Sequence, residues 1–247
     1  MKYFCKIKYL GTDFCGFQVQ PLRRTVQGEL CKALTEALGG EVRVTGCSRT
    51  DAGVHANEFC ITVDCEEATV PPNKLPLAVA RFLPHDLSLY QADECPTNFH
   101  PRYDAKSKEY LYRIVNQPIF DPFDFGRAWF LPKPIDESAI QKMRDAASYI
   151  VGKHDFSSFM SEGSDVTDTV REVYYLNIEK ADNLIEIKIC ADGFLYNMVR
   201  IIVGTLMEVA YGRMKAEYLK DLIESKNRSL AGMTAPSQGL FLNKVSY

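Results

Sequence analysis

The chain has 247 residues, 46% of them hydrophobic, enough for a substantial core in one large domain or two small ones without metal or disulfide staples. Its formal net charge of −3 excludes a uniformly basic nucleic-acid binder, so a phosphate partner would have to meet segregated Lys and Arg. The most apolar stretch, 194–210, is interrupted by Arg200 and Glu208, which makes it a core helix rather than a membrane span.

In chain order, a strand is expected over 2–10 and a helix over 25–38, where Val26, Leu30, Leu34, Ala37 and Leu38 share a face behind the capping residue Thr25 and Gly39-Gly40 stops the run. Strands over 41–46 and 58–64 alternate apolar and polar residues, and a helix over 72–82 and a strand over 86–92 follow. The same rhythm then returns. A strand over 107–116 precedes a helix from Asp136 that places Ile140, Met143, Ala147 and Ile150 on one face, with Gly152 as its stop. Strands over 170–180 and 184–190 form a hairpin across Asp182-Asn183, helices follow over 194–211 and 216–224, and a strand from Leu240 to Tyr247 ends the chain.

Two successive strand-helix-strand-strand units imply an α+β protein of two domains, 1–105 and 106–247, each with helices covering one face of a mainly antiparallel sheet. The Pro-containing segment 117–134 and the segment 162–169 read as long loops, which in compact domains are often functional. The eight cysteines contain no CxxC pair, and no His stands at zinc-ligand spacing. With no secretory leader ahead of the charged strand at Met1-Lys2-Tyr3, free thiols in the cytoplasm are expected. The four histidines are too scattered for a metal site, and no phosphate-loop or dinucleotide glycine pattern occurs, so neither metal nor cofactor is implied.

The segment Gly46-Cys47-Ser48-Arg49-Thr50-Asp51-Ala52-Gly53-Val54-His55-Ala56 sets a carboxylate on a turn of small residues between two strands. Gly53 permits a positive φ, and Ala52 and Ala56 leave room for a substrate to approach the backbone. A surface turn in which Asp51 satisfies its own backbone would use the same residue types. Arg200 also stands out: a guanidinium within Met198-Val199-Arg200-Ile201-Ile202-Val203 requires a carboxylate, a polar cleft or a path to the surface.

The run Arg49 to Ala56 resembles the signature of the tRNA pseudouridine synthase A family. Further blocks of the same family follow in order: Tyr9 and Gly11-Thr12-Asp13-Phe14-Cys15-Gly16-Phe17-Gln18-Val19-Gln20-Pro21; Thr25-Val26-Gln27-Gly28-Glu29-Leu30; Phe99-His100-Pro101-Arg102; Lys108-Glu109-Tyr110-Leu111-Tyr112-Arg113; His154-Asp155-Phe156-Ser157-Ser158-Phe159; Gly193 to Gly204; and Ala235-Pro236-Ser237-Gln238-Gly239-Leu240. The resemblance implies two α+β domains with their sheets joined and an active cleft between them. It also implies a cofactor-free isomerase that converts uridine to pseudouridine in the anticodon arm of tRNA, at tRNA positions 38, 39 and 40, and acts as a homodimer.

Carried onto this chain, the resemblance makes Asp51 the nucleophile and Arg200 the partner that keeps it ionised and oriented. Tyr110 lies against the flipped target base and relays the proton that leaves carbon 5, and Arg49 holds the RNA or fills the gap left by the flipped nucleotide. Flipping costs a few kcal/mol, which one or two aromatic stacking contacts of about 1–3 kcal/mol each would return. Tyr110 and Tyr112 as plain core aromatics, and Arg49 as a solvated loop residue, are the competing readings. His55, like His100 and His154, reads as structural. The positive charge is expected to gather on a cleft from Arg23, Arg24, Arg43, Arg49, Lys106, Lys108, Arg113, Arg171 and Arg200, with Glu66, Glu67, Asp93 and Glu94 outside it.

Two positions depart from the family pattern: Ser48 replaces a common glycine, and Leu10 replaces a common acidic residue. Ser48 matters if positive φ is needed there. Two rivals remain: an RNA-binding or RNA-folding protein of the same fold without turnover, and a glycoside hydrolase, for which no spacing nominates the second carboxylate.

Overall fold

The computed structural model of the protein describes residues 1–163 and 166–247, so residues 164 and 165 of the expected 162–169 loop lie outside the described residues. The fold is mixed α+β with mainly antiparallel pairing. In chain order the elements are β1 Lys2–Tyr9, α1 Val26–Leu38, β2 Arg43–Gly46, β3 His55–Asp64, α2 Leu75–Ala80, β4 Leu87–Glu94, β5 Ser107–Asn116, β6 Trp129–Leu131, α3 Glu137–Ser148, β7 Gly152–Asp155, β8 Val170–Ala181, β9 Leu184–Ala191, α4 Met198–Ala210, α5 Tyr218–Ser225 and β10 Leu240–Ser246. They divide into two compact units, residues 1–106 with 241–247, and residues 107–240.

In the first unit the strand order is β4-β1-β3-β10, with β2 also paired to β3. β3 is the central strand. It runs antiparallel to β1 (Lys2 opposite Asp64, Ile7 opposite Phe59) and to β2 (Arg43 opposite Asp64), and parallel to β10 (Phe241 opposite His55). That parallel pairing puts 241–247 in the first unit, whereas chain order alone assigned everything after residue 105 to the second. On β1 the alternation is complete: Tyr3, Cys5, Ile7 and Tyr9 are buried, while Lys2, Phe4, Lys6 and Lys8 are more open. The Thr25 hydroxyl caps α1 by accepting from Gly28 N–H at 3.3 Å, and Gly39 ends it at φ 75°. The buried side of α1, Val26, Leu30, Ala33, Leu34 and Leu38, packs on α2 and β2.

In the second unit the order is β5-β9-β8-β7, with β6 beside β5. β8 and β9 form the expected hairpin, its turn carried by Asp182 at φ 51°. Asp136 caps α3 by accepting from Ala139 N–H at 2.8 Å, and Ile140 and Met143 are fully buried, each contributing about 1.5–3 kcal/mol. α3 packs on β8 and on α4, which is buried over nearly its whole length.

Three features differ from the sequence reading. β6 lies inside the expected 117–134 loop, and β7 follows α3; at three and four residues they are too short to show an alternating pattern. Asn116 secures that loop: its side-chain amide donates to Leu131 and Lys133 carbonyls, and its oxygen accepts from Ile135 N–H. The helix expected from 194 begins at Met198, because Asn197 takes a left-handed φ of 60° that interrupts helical geometry. All eight cysteines are free thiols. Burial is the main force raising Cys5, Cys31, Cys60 and Cys95, Cys60 to about 12 and Cys5 further still, so those two are inert small hydrophobes at neutral pH. No helix among the described residues is long and apolar enough to cross a membrane.

Candidate active site

Asp51 lies half-buried on the turn between β2 and β3. Its carbonyl accepts from Val54 N–H at 3.2 Å, and Gly53 inside that turn has φ 78°, a conformation that strains residues with a side chain. The turn rests on the segment that follows β1. Gly53 N–H donates to Phe14 O at 3.3 Å and Phe17 N–H donates to Thr50 O at 3.1 Å. The hydroxyls of Tyr9 and Thr50 lie 2.8 Å apart, and Gly11 N–H donates to His55 Nδ1 at 2.9 Å. A Cβ on Gly11 would stand 1.9 Å from the Val54 carbonyl oxygen, so only glycine lets the two backbones meet.

The sequence blocks around Gly11 and Asp51 are thus two layers of one structure. Beneath them Phe17 stacks on Phe59 at 4.4 Å between centroids, and Tyr9 meets Phe14 edge-on and Phe59 at a tilt. His55 is fully buried and stacks on Phe241 at 4.5 Å, which makes it a structural histidine. Ser48, where the family commonly has glycine, is not among the left-handed residues, so the serine sits there without backbone strain. Arg49 is exposed beside the turn.

The other two proposed residues lie in the second unit. Tyr110 on β5 is only 6% exposed, and its ring meets Phe194 edge-on at 5.0 Å. Arg200, in the first turn of α4, is half-buried and held on two sides: Nε donates to the Ala235 carbonyl at 2.7 Å and Nη1 donates to Asn197 Oδ1 at 2.8 Å. Ala235 N–H returns a bond to the Arg200 carbonyl at 3.1 Å. Next to Ala235, the Pro236 carbonyl accepts from Tyr112 OH at 2.7 Å. Burial pushes the Tyr112 phenol well above its ordinary range despite the opposing charge of Arg200, so it stays protonated and donates. Tyr112 is therefore a core aromatic with a structural hydrogen bond.

Asn197 and Ala235 were not singled out as partners of Arg200. The signal was present: an asparagine three positions before the arginine, at the start of an apolar helix, and the block Ala235-Pro236 near the C-terminus. Asn197 also reaches outward, its amide donating to Ser161 Oγ at 3.0 Å. The anticipated basic face is thinner than expected. Arg24 is engaged by Asp86 through two bonds of 2.7 and 2.8 Å, Arg113 by Glu186 at 3.0 Å, and Arg171 by the carbonyls of Asp168 and Val170.

Comparison with known proteins converges on one family. The family model described as tRNA pseudouridine synthase matches residues 6–104 and 146–247. The chain is 44% identical over 241 residues to tRNA pseudouridine synthase A of a Thermoanaerobacter species, covering 98% of this chain and 97% of that protein. It is 40% identical over 245 residues to tRNA pseudouridine synthase A 2 of Clostridium tetani and 43% identical over 244 residues to tRNA pseudouridine synthase A of Anoxybacillus flavithermus, in each case covering 98% of this chain and 97% of the relative. With its Asp51 turn intact and the match running through both units, the chain belongs to the tRNA pseudouridine synthase family.

Proposed function

We propose that Asp51 is the nucleophile with which this isomerase converts uridine to pseudouridine in the anticodon arm of tRNA. The conversion of uridine to pseudouridine goes with the family; the arm and the residue roles are our reading. The observation that carries it is the Asp51 turn, a carboxylate on a small-residue loop clamped to the Gly11 segment by four contacts, so that its position is set before substrate arrives. The reaction breaks the bond between ribose carbon 1′ and uracil nitrogen 1, turns the base and joins carbon 1′ to carbon 5; carbon 5 loses its proton and the freed nitrogen 1 takes one up. Substrate and product are isomers, so no co-reactant is required.

In this reading Arg200 orients Asp51 and balances its charge. A carbonyl, that of Ala235, and an amide oxygen, that of Asn197, fix the orientation of its guanidinium. Tyr110 stacks on the flipped base and relays the carbon-5 proton, its ring held edge-on by Phe194. Arg49 steadies the RNA beside the turn. The enzyme works in the cytoplasm as a homodimer, with one tRNA spanning both subunits.

Chemical mapping of pseudouridine in unmodified tRNA incubated with the protein tests this directly. Modification confined to positions 38–40 is the expected pattern. Modification outside the anticodon arm contradicts the substrate assignment, and tight tRNA binding without any pseudouridine favours an inactive RNA-binding protein.

A further inference from the structure

Within the first unit, a groove of about 620 Å³ opens between α1, β2 and the turn at 100–104, with Ser48 and Arg49 as one wall. Three guanidiniums line it, those of Arg43, Arg49 and Arg102, against one carboxylate, that of Glu41. All three arginines are exposed, and none has a carboxylate partner among the described residues. Three other cations of this unit do meet an acid: Arg24 meets Asp86, Lys6 meets Glu58 and Lys32 meets Glu29. In a chain of net charge −3, three unpaired guanidiniums in one groove are a local surplus complementary to a polyanion.

The rim carries a second signal. Tyr103 is 75% exposed, with its ring tilted against that of His100 at 4.3 Å and the Arg102 guanidinium carbon 5.8 Å from its centroid. The turn is built in advance. His100 N–H donates to Asp104 Oδ2 at 2.8 Å, Asp104 N–H donates to the His100 carbonyl at 3.0 Å, and Arg102 N–H donates to His100 Nδ1 at 3.1 Å. An open aromatic face fixed beside cations suits stacking on a nucleobase. Strand addition by a peptide is disfavoured on the inner wall, because the Val44 carbonyl of β2 already accepts from Gln27 Nε2 at 2.9 Å.

We propose that this groove is an RNA subsite beside the Asp51 turn, in which Arg43, Arg49 and Arg102 hold the phosphodiester backbone and Tyr103 stacks on an unpaired base. It rests on the tRNA reading above and adds to it where the strand flanking the target nucleotide runs. Arg49 is shared between the two sites, being two residues from Asp51, so a strand seated in the groove fixes the register of the nucleotide presented to the carboxylate.

The test uses the full-length protein and unmodified tRNA. The double variant Arg43→Ala/Arg102→Ala is expected to raise KM roughly tenfold with kcat unchanged. The slope of log affinity against log salt should fall by about one per arginine removed. Arg43→Lys/Arg102→Lys should restore that slope, which a folding defect would not allow. Tyr103→Ala should weaken tRNA binding about tenfold, and Tyr103→Phe should keep it. Wild-type KM and salt slope in the double variant would overturn the proposal, as would displacement of tRNA by polyglutamate as effective as that by polyuridylate. The two readings separate cleanly. Pseudouridine formation by wild type with unaltered groove variants leaves the activity standing and removes the groove, whereas altered binding without any pseudouridine does the reverse.

Discussion

Asn197 does more with one side chain than its neighbours in sequence suggest. It holds a left-handed φ of 60°, accepts from Arg200 Nη1 and donates to Ser161. Asparagine tolerates that backbone conformation better than most residues, while alanine pays about 1 kcal/mol. Asn197→Gly keeps the backbone and removes the acceptor; Asn197→Ala loses both. A hydrogen bond to a charged group is worth about 1.5–3 kcal/mol, so both variants should lower kcat tenfold or more with KM little changed, and the alanine variant should melt earlier than the glycine variant. Steady-state kinetics beside thermal melting checks this, and equal kcat for all three proteins would remove Asn197 from the positioning of Arg200.

At the level of elements, the Asp51 turn depends on the segment beneath it. Because a Cβ on Gly11 would meet backbone rather than a movable side chain, Gly11→Ala should destabilise the first unit by roughly 1–3 kcal/mol and reduce activity, measured by urea unfolding and turnover. In the second unit, Asp155 ties β7 to later chain. Burial opposes its charge, but bonds from Ser157, Thr169 (2.6 Å) and Lys226 (2.9 Å) outweigh burial and hold the carboxyl well below its ordinary range. A depressed carboxyl stabilises the fold above the unfolded value near 4, and that stability is lost as pH falls through the folded value. Asp155→Asn should therefore cost about 2 kcal/mol at neutral pH, with the difference from wild type shrinking in acid below about pH 4, as followed by urea unfolding across pH. A difference independent of pH would contradict that cause.

Elements with a strong period were legible: the alternation on β1 and β9, the Thr25 and Asp136 caps and the Asp182 turn all lie where the residues put them. The misses share a cause. β6 is made by pairing with β5, β7 by pairing with β8, and the late start of α4 by one backbone angle, none of which leaves a periodic trace.

For the whole molecule, chain order does not reveal that Phe241 and Leu242 pair in parallel with His55 and Ala56, a contact between residues nearly 190 positions apart. The family blocks fared better, since the Gly11 and Asp51 segments proved to be one layered structure. The charge pattern was only partly readable: composition gave the balance, while the pairing of Arg24 and Arg113 with acids, and the lack of such partners for Arg43 and Arg102 among the described residues, needed the fold. As a homodimer the protein should sediment at about twice its 28.0 kDa chain mass, and a monomer at working concentration would contradict the proposed assembly. The account turns above all on Asp51 as nucleophile. The measurement that bears on it most directly is tritium release from tRNA labelled at uridine carbon 5, with wild type and Asp51→Asn side by side. The expected result is release by wild type and none by the variant, which still binds tRNA as tightly; release by the variant at a rate near wild type would contradict it.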